Sequence, residues 1–178
     1  ALKLFCVREL MEGIVRYMPI SGYPKEFGAR VFKITRDNQG NRLTHMKITG
    51  GFLKARDVLK TEKVNQIRIY SGEKFDAVNE ACAGQVCAVT GLLHTFPGQG
   101  FGLEKTVDRH MLEPVLSYCI YLPEGCDPAA FLPKLMQLQE EDPTLQVVWD
   151  EELKEIHAKV MGEVQIEILK HMIRERFG

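Results

Sequence analysis

The stretch that decides the fold runs from Phe27 to Gly51, FGARVFKITRDNQGNRLTHMKITGG. Its first half, Ala29 to Thr35, and its second half, Arg42 to Ile48, each alternate apolar with polar side chains, the period of a half-buried strand. Between them Asp37-Asn-Gln-Gly-Asn41 is turn chemistry, so the spacing predicts a β-hairpin. The hairpin also concentrates charge. Residues 25–60 hold nine Lys or Arg against three Asp or Glu, whereas the whole chain of 178 residues carries a net charge of −1. A basic hairpin in a neutral protein predicts a polyanionic partner on one face.

Outward from the hairpin, further strands are expected at Val64–Tyr70 and Gln85–Gly91, with Pro97-Gly-Gln-Gly-Phe-Gly102 as a loop. Several short strands uninterrupted by helices predict a small closed or nearly closed barrel. Upstream, Val7, Leu10, Met11, Ile14 and Met18 recur at helical spacing in residues 4–18. Pro19 closes that run, and Ser21, Gly22 and Pro24 make a linker. Downstream the chain turns acidic, with seven basic and fourteen acidic residues in 106–178. There Val115–Leu122 reads as a strand, and Asp127-Pro128 as the cap of a helix ending before Pro143. Pro133 inside that run predicts that the regular helix begins only near Leu132. Strands at Leu145–Trp149 and Glu155–Val160 flank the acidic turn Asp150-Glu151-Glu152, and a helix from Gly162 to Phe177 follows. The order β-α-β-β-α is one strand short of a split βαββαβ unit. The expected fold is therefore an all-β barrel followed by an α+β, ferredoxin-like domain lacking its last strand.

Composition excludes several classes. No apolar run approaches the ~18 residues of a membrane span, so no membrane partner is expected. Five scattered cysteines (Cys6, Cys82, Cys87, Cys119, Cys126) form no CxxC pair and fit free thiols in a reducing compartment. The histidines (45, 94, 110, 157, 171) show no metal-ligand spacing and no recognisable catalytic order, so neither a metal nor catalytic residues are expected. There is no Gly-x4-Gly-Lys-Ser/Thr loop, and Pro97–Gly102 lacks the required lysine and hydroxyl. The chain alone should neither bind nor hydrolyse GTP.

Phe27-Gly-Ala-Arg-Val-Phe-Lys-Ile34, Arg42-Leu43 and Ser71-Gly72 resemble the start of the second domain of the translational GTPases of the elongation factor G group. Glu140-Glu-Asp-Pro-Thr144, Met161-Gly-Glu163 and Ile166-Glu-Ile168 resemble the third-domain signature, the resemblance covering about 150 of the 178 residues. Where elongation factor G usually reads Leu-His-Leu-Glu after Gly-Glu, this chain reads Val164-Gln165-Ile166-Glu167. The glutamine is more similar to the tetracycline-resistance, ribosomal protection branch. The resemblance implies residues 1–24 as the terminal helix of a GTPase domain plus linker, 25–105 as the barrel, and 106–178 as the truncated α+β domain. It implies a cytoplasmic ribosome-docking fragment, with GTP and Mg confined to a GTPase domain elsewhere in the parent. The partners implied are small-subunit ribosomal RNA and protein, together with the GTPase and C-terminal domains of the same protein. Arg30, Lys33, Arg36, Arg42, Lys47, Lys54 and Arg56 become the RNA-contact candidates, because Lys and Arg gain affinity by displacing counterions from phosphates. The missing strand would leave Val115–Tyr121 as an exposed edge, open to artefactual pairing with a second copy. Two alternatives stand beside this reading. One is a stand-alone RNA-binding module. The other is a flavin-binding oxidoreductase barrel, because Arg68-Ile-Tyr70-Ser71 resembles the Arg-x-Tyr-Ser pattern of such enzymes.

Overall fold

The computed structural model describes residues 5–18, 22–107 and 114–178. Pro19, Ser21 and His110 lie outside the described residues, as does the start of the first predicted helix. That helix, α1, spans Val7–Tyr17. None of its residues is buried, so the stripe formed by Leu10, Met11 and Ile14 faces outward without a partner among the described residues.

The hairpin forms as expected, from β1 (Gly28–Arg36) and β2 (Arg42–Gly50). Asp37 builds its turn: one carboxylate oxygen accepts the backbone N–H of Gln39 at 3.0 Å and of Asn41 at 2.9 Å. Gly40 at φ +80° supplies the left-handed residue that a side chain would resist. The short strands that follow are β3 (Phe52–Lys54), β4 (Val58–Leu59), β5 (Glu62–Lys63), β6 (Gln66–Ser71), β7 (Lys74–Val78), β8 (Glu80–Cys82), β9 (Val86–Thr90) and β10 (Gly100–Gly102). Six of the strands form one antiparallel sheet in the order β10-β1-β2-β9-β6-β7, while β3 pairs with β8 and β4 with β5. Val31, Ile34, Met46, Ile48, Leu53, Val64, Ile67 and Leu92 are among the side chains of its core.

The loop reading of 97–102 needs correction at its end. Gly100–Gly102 pairs with β1, and Gly102 meets Gly28. Only glycine fits there: a Cβ on Gly102, at φ +61°, would stand 2.0 Å from the carbonyl oxygen of Phe27.

The last third contains β11 (Leu116–Ile120), α2 (Pro128–Glu141), β12 (Gln146–Asp150), β13 (Glu155–Val160) and α3 (Glu163–Phe177). The three strands form an antiparallel sheet in the order β11-β13-β12. Among the described residues β11 is hydrogen-bonded on one side only. Ile156, Ala158 and Val160 of β13 join Phe131, Leu135, Leu138 and Leu169 of the two helices in a second core. Asp127 caps α2, accepting the Ala129 N–H at 3.0 Å. The helix begins at Pro128 and runs through Pro133, so the expected start near Leu132 is overturned. The carbonyl that Pro133 leaves without a donor belongs to Ala129, which is exposed and can be hydrated.

The third-domain signature is a set of joints. Gln165 donates to Asp142 at 2.6 Å and to the Thr144 hydroxyl at 2.8 Å, and accepts the Met161 N–H at 2.7 Å. Glu141 takes a bidentate pair from Arg176 at 2.6 and 3.0 Å, tying the end of α2 to α3. Glu140 points the other way, to the first unit.

Candidate nucleic-acid interface

The outer face of the six-stranded sheet starts from a bulge. In the β1–β2 ladder Val31 pairs with Met46 and Lys33 with His45, leaving Phe32 as an extra residue. The bulge keeps Ala29, Val31 and Ile34 all in the core and turns Phe32 outward, where it is 43% exposed. From Phe32 a row of rings crosses the sheet. Phe32 and His45 lie 6.1 Å apart between centroids, His45 and Tyr70 6.2 Å, and Tyr70 and Phe75 5.4 Å. Ala88 on β9 pairs with both His45 and Arg68, and this small side chain lets the rings on β2 and β6 approach over it. His45 hydrogen-bonds Thr35 at 2.7 Å. Burial, with Lys33 nearby, holds its pKa below the ordinary histidine value, so the ring is neutral at pH 7.

The charged side chains that β1, β2 and β6 turn outward are cations, two of them paired with carboxylates from neighbouring loops, Arg30 with Glu104 and Arg68 with Asp37. Arg30, Lys33, Lys47 and Arg68 share the outward side of β1, β2 and β6 with the rings, and none of the outward positions on those strands is acidic. Aromatic faces with flanking cations are what single-stranded nucleic acid binds: the rings stack on bases and the cations meet phosphates.

The seven sequence-derived candidates separate into three groups. Lys33, Lys47 and Arg56 are exposed, but Arg56 sits at φ +77° in the turn after β3, away from the ring row. Lys54 lies 3.8 Å from Glu80 and over the Phe52 ring, and Arg30 is paired with Glu104. Arg36 and Arg42 are bonded within the protein. Both donate to the same oxygen of Glu140, at 3.0 and 3.1 Å, and so join the hairpin to α2. Arg42 is further committed to the Leu92 carbonyl at 2.8 Å and to the Thr95 hydroxyl at 2.7 Å, with only 8% of its side chain exposed. Phe32, His45, Arg68, Tyr70 and Phe75 are absent from the sequence-derived set. For His45, Arg68, Tyr70 and Phe75 the available signal is an outward phase on their strands, whereas Phe32 is turned outward by the bulge.

The flavin pattern finds no support in this setting. The Arg68 guanidinium lies 4.4 Å from the Phe75 ring centroid and donates to Asp37 at 3.0 Å, so it is already partnered.

Asp37 therefore serves both the turn and the ring row. Burial would raise its pKa, but hydrogen bonds from Asn41 and Arg68, with the backbone N–H groups of Asn41 and Gln39, lower it from 3.8 to about 2. A depressed carboxylate stabilises the fold above its unfolded pKa and loses that contribution as pH falls through the folded one. In denaturant titrations, Asp37→Asn should be less stable than the parent at pH 6, and the gap should close between about pH 4 and pH 2. A gap of equal size at pH 2 would refute the role of the charge.

Two family descriptions match the chain in sequence. Elongation factor G domain 2 covers residues 26–101, and Elongation Factor G, domain III covers residues 111–178. The chain belongs to the elongation factor G family. Among its relatives, Elongation factor G 2 of Syntrophus aciditrophicus is 30% identical over 89% of this chain and 25% of that protein. Elongation factor 2 of Methanosarcina barkeri is 31% identical over 75% of this chain and 20% of its own. Tetracycline resistance protein TetP of Clostridium perfringens is 28% identical over 97% of this chain and 28% of its own. The chain thus spans between a fifth and under a third of the length of these relatives. A crystal structure of a protein from Thermus thermophilus superposes over 95% of this chain and 28% of that one, with a TM-score of 0.73 at 23% identity. The ring row lies within the segment matched as elongation factor G domain 2, and the Gln165 joint within domain III.

Proposed function

We propose that the chain is a ribosome-docking and coupling portion of a cytoplasmic translational GTPase, working beside a GTP-binding domain that holds the nucleotide and Mg, and beside C-terminal domains. Residues 25–105 act as the translation-factor barrel and residues 106–178 as a split βαββα domain. The barrel rests on small-subunit ribosomal RNA and protein, and the second domain relays the state of the GTP-binding domain through Glu140. Residues 1–24 belong with the GTP-binding domain, whose surface would cover Leu10, Met11 and Ile14 of α1. A further strand would pair with β11, and without it pairing of two copies through β11 is an artefact. Gln165 favours the ribosomal protection branch.

The observation that carries this reading is the row of rings on the outer face of the six-stranded sheet, flanked by the exposed Lys33 and Lys47. Binding of the chain to purified small ribosomal subunits tests it. Affinity should fall steeply with salt, and Lys33→Ala with Lys47→Ala should flatten the salt slope by about one unit for each phosphate no longer neutralised. Phe32→Ala with Tyr70→Ala should weaken binding by about tenfold or more while leaving the slope unchanged, since stacking on a base is worth ~1–3 kcal/mol. Arg36→Ala should leave binding unaltered. Salt-insensitive binding, or binding indifferent to both pairs of variants, would sink the assignment of this face.

A further inference from the structure

We propose that Cys119, Glu155 and His157 form a binding site for a borderline-soft divalent cation of the zinc class, a site independent of the RNA reading. The sequence gives no hint of it, because Cys119 lies far along the chain from the other two. The antiparallel register places Cys119 of β11 directly opposite His157 of β13. Glu155 is two residues from His157 along β13 and therefore projects from the same side. That side is the one turned away from the helices, since Ile156, Ala158 and Val160 fill the core. The thiol sulfur, one imidazole nitrogen and one carboxylate oxygen all lie within 4.8 Å of one another.

The geometry suits a tetrahedral ion. With Zn–N and Zn–O bonds of about 2.0–2.1 Å, a tetrahedral angle sets the two ligand atoms roughly 3.3–3.4 Å apart. His157 Nε2 and Glu155 Oε2 stand at 3.2 Å. The Cys119 sulfur, within 4.8 Å of both, would have to close to a longer bond of about 2.3 Å. The charges also close: one thiolate and one carboxylate neutralise a dication, while imidazole adds a neutral donor. The set discriminates against hard ions. Magnesium and calcium prefer all-oxygen shells, whereas thiolate with imidazole selects zinc or cobalt.

Asp150, the ladder partner of Glu155, falls outside the group of mutually close ligand atoms, and its Oδ1 accepts the N–H groups of Glu152 and Leu153 at 3.0 and 2.9 Å. The protein thus supplies three ligands, and a water completes the fourth position. Lys159 continues the same side of β13 and opposes the cation, which limits affinity without blocking the site. Bound metal would bridge β11 to β13 and so reinforce a strand that, among the described residues, has one bonded edge.

Cobalt(II) titration of the whole chain, followed by zinc(II) competition, reads this directly. One equivalent should produce a thiolate-to-cobalt charge-transfer band with the d–d bands of a tetrahedral ion, and zinc should abolish both. Cys119→Ser should eliminate the charge-transfer band. His157→Ala should weaken zinc binding roughly tenfold or more, in line with the loss of one of three ligands. Cys82→Ser and Cys126→Ser, which alter other exposed thiols, should change nothing. Urea titrations of each variant without metal verify folding, and hydrogen exchange should show zinc slowing Leu116–Ile120 in the parent but not in Cys119→Ser. Absence of the charge-transfer band in the folded parent, or its survival in Cys119→Ser, would overturn the site.

Discussion

Replacing Arg42 with alanine should destabilise the first unit by about 3 kcal/mol, the scale of breaking a buried charged network by removing one partner. The size follows from what is left behind. Glu140 is 42% exposed, so it rehydrates and keeps Arg36. The Leu92 carbonyl has no such freedom, since Leu92 is fully buried, and Thr95 is buried with it. Thr44 and Thr95 retain their mutual bond at 2.7 Å, which caps the loss. Arg42→Lys should recover less than half, because one ammonium cannot replace a planar fork aimed at several acceptors. Lys33→Ala, on an exposed position of the same hairpin, should stay within ~0.5 kcal/mol of the parent. Urea unfolding of the three variants checks the series. A loss below about 1 kcal/mol for Arg42→Ala would remove Arg42 from the structural network and return it to the surface charges.

The second large effect is expected at Gln165. Gln165→Leu keeps approximate volume but leaves the exposed Met161 N–H to water, and it removes two donated bonds from the part-buried Asp142 and Thr144 cluster. A cost of about 2 kcal/mol follows, at roughly 1 kcal/mol for each of the two part-buried bonds. Gln165→His should cost less than about 1 kcal/mol. A neutral imidazole can accept from Met161 with one nitrogen and donate to Asp142 with the other, while the Thr144 hydroxyl keeps its own bond to Asp142 at 2.6 Å. That substitution also carries the residue usual in the elongation factors at this position. Thermal or urea unfolding followed through Trp149, on β12 of the same unit, separates the two variants. Equal losses for leucine and histidine would show that shape, and not hydrogen bonding, governs the position.

Local chemistry explains what could be read in the sequence. The hairpin turn, the Asp127 cap and the acidic link between β12 and β13 are each specified by neighbours in the chain. Gly100–Gly102 becomes a strand only because β1 lies alongside, so nothing in its own composition marks it. The strands β3, β4, β5 and β8 are two or three residues long, too short to display a period. Arg36 and Arg42 look like free charges from either side of the turn because their partner Glu140 lies 104 and 98 residues away. The ring row has the opposite character. Phe32 is out of phase with its strand, and only the bulge reconciles an outward phenylalanine with Ile34 in the core. Charge counting picks out the exposed Lys33 and Lys47 of the hairpin but has no means of seeing that Arg36 and Arg42 bond Glu140.

Glu140 bears on mechanics. One oxygen shared by Arg36 and Arg42 ties α2 to the foot of the hairpin turn, where α2 also runs close to β1. A displacement of α2 would reach the first unit at Arg42, whose other hydrogen bonds run straight into Leu92 and Thr95. The same side chain would then carry strain from an exposed carboxylate to buried backbone, so a shift of the second unit would be felt inside the first.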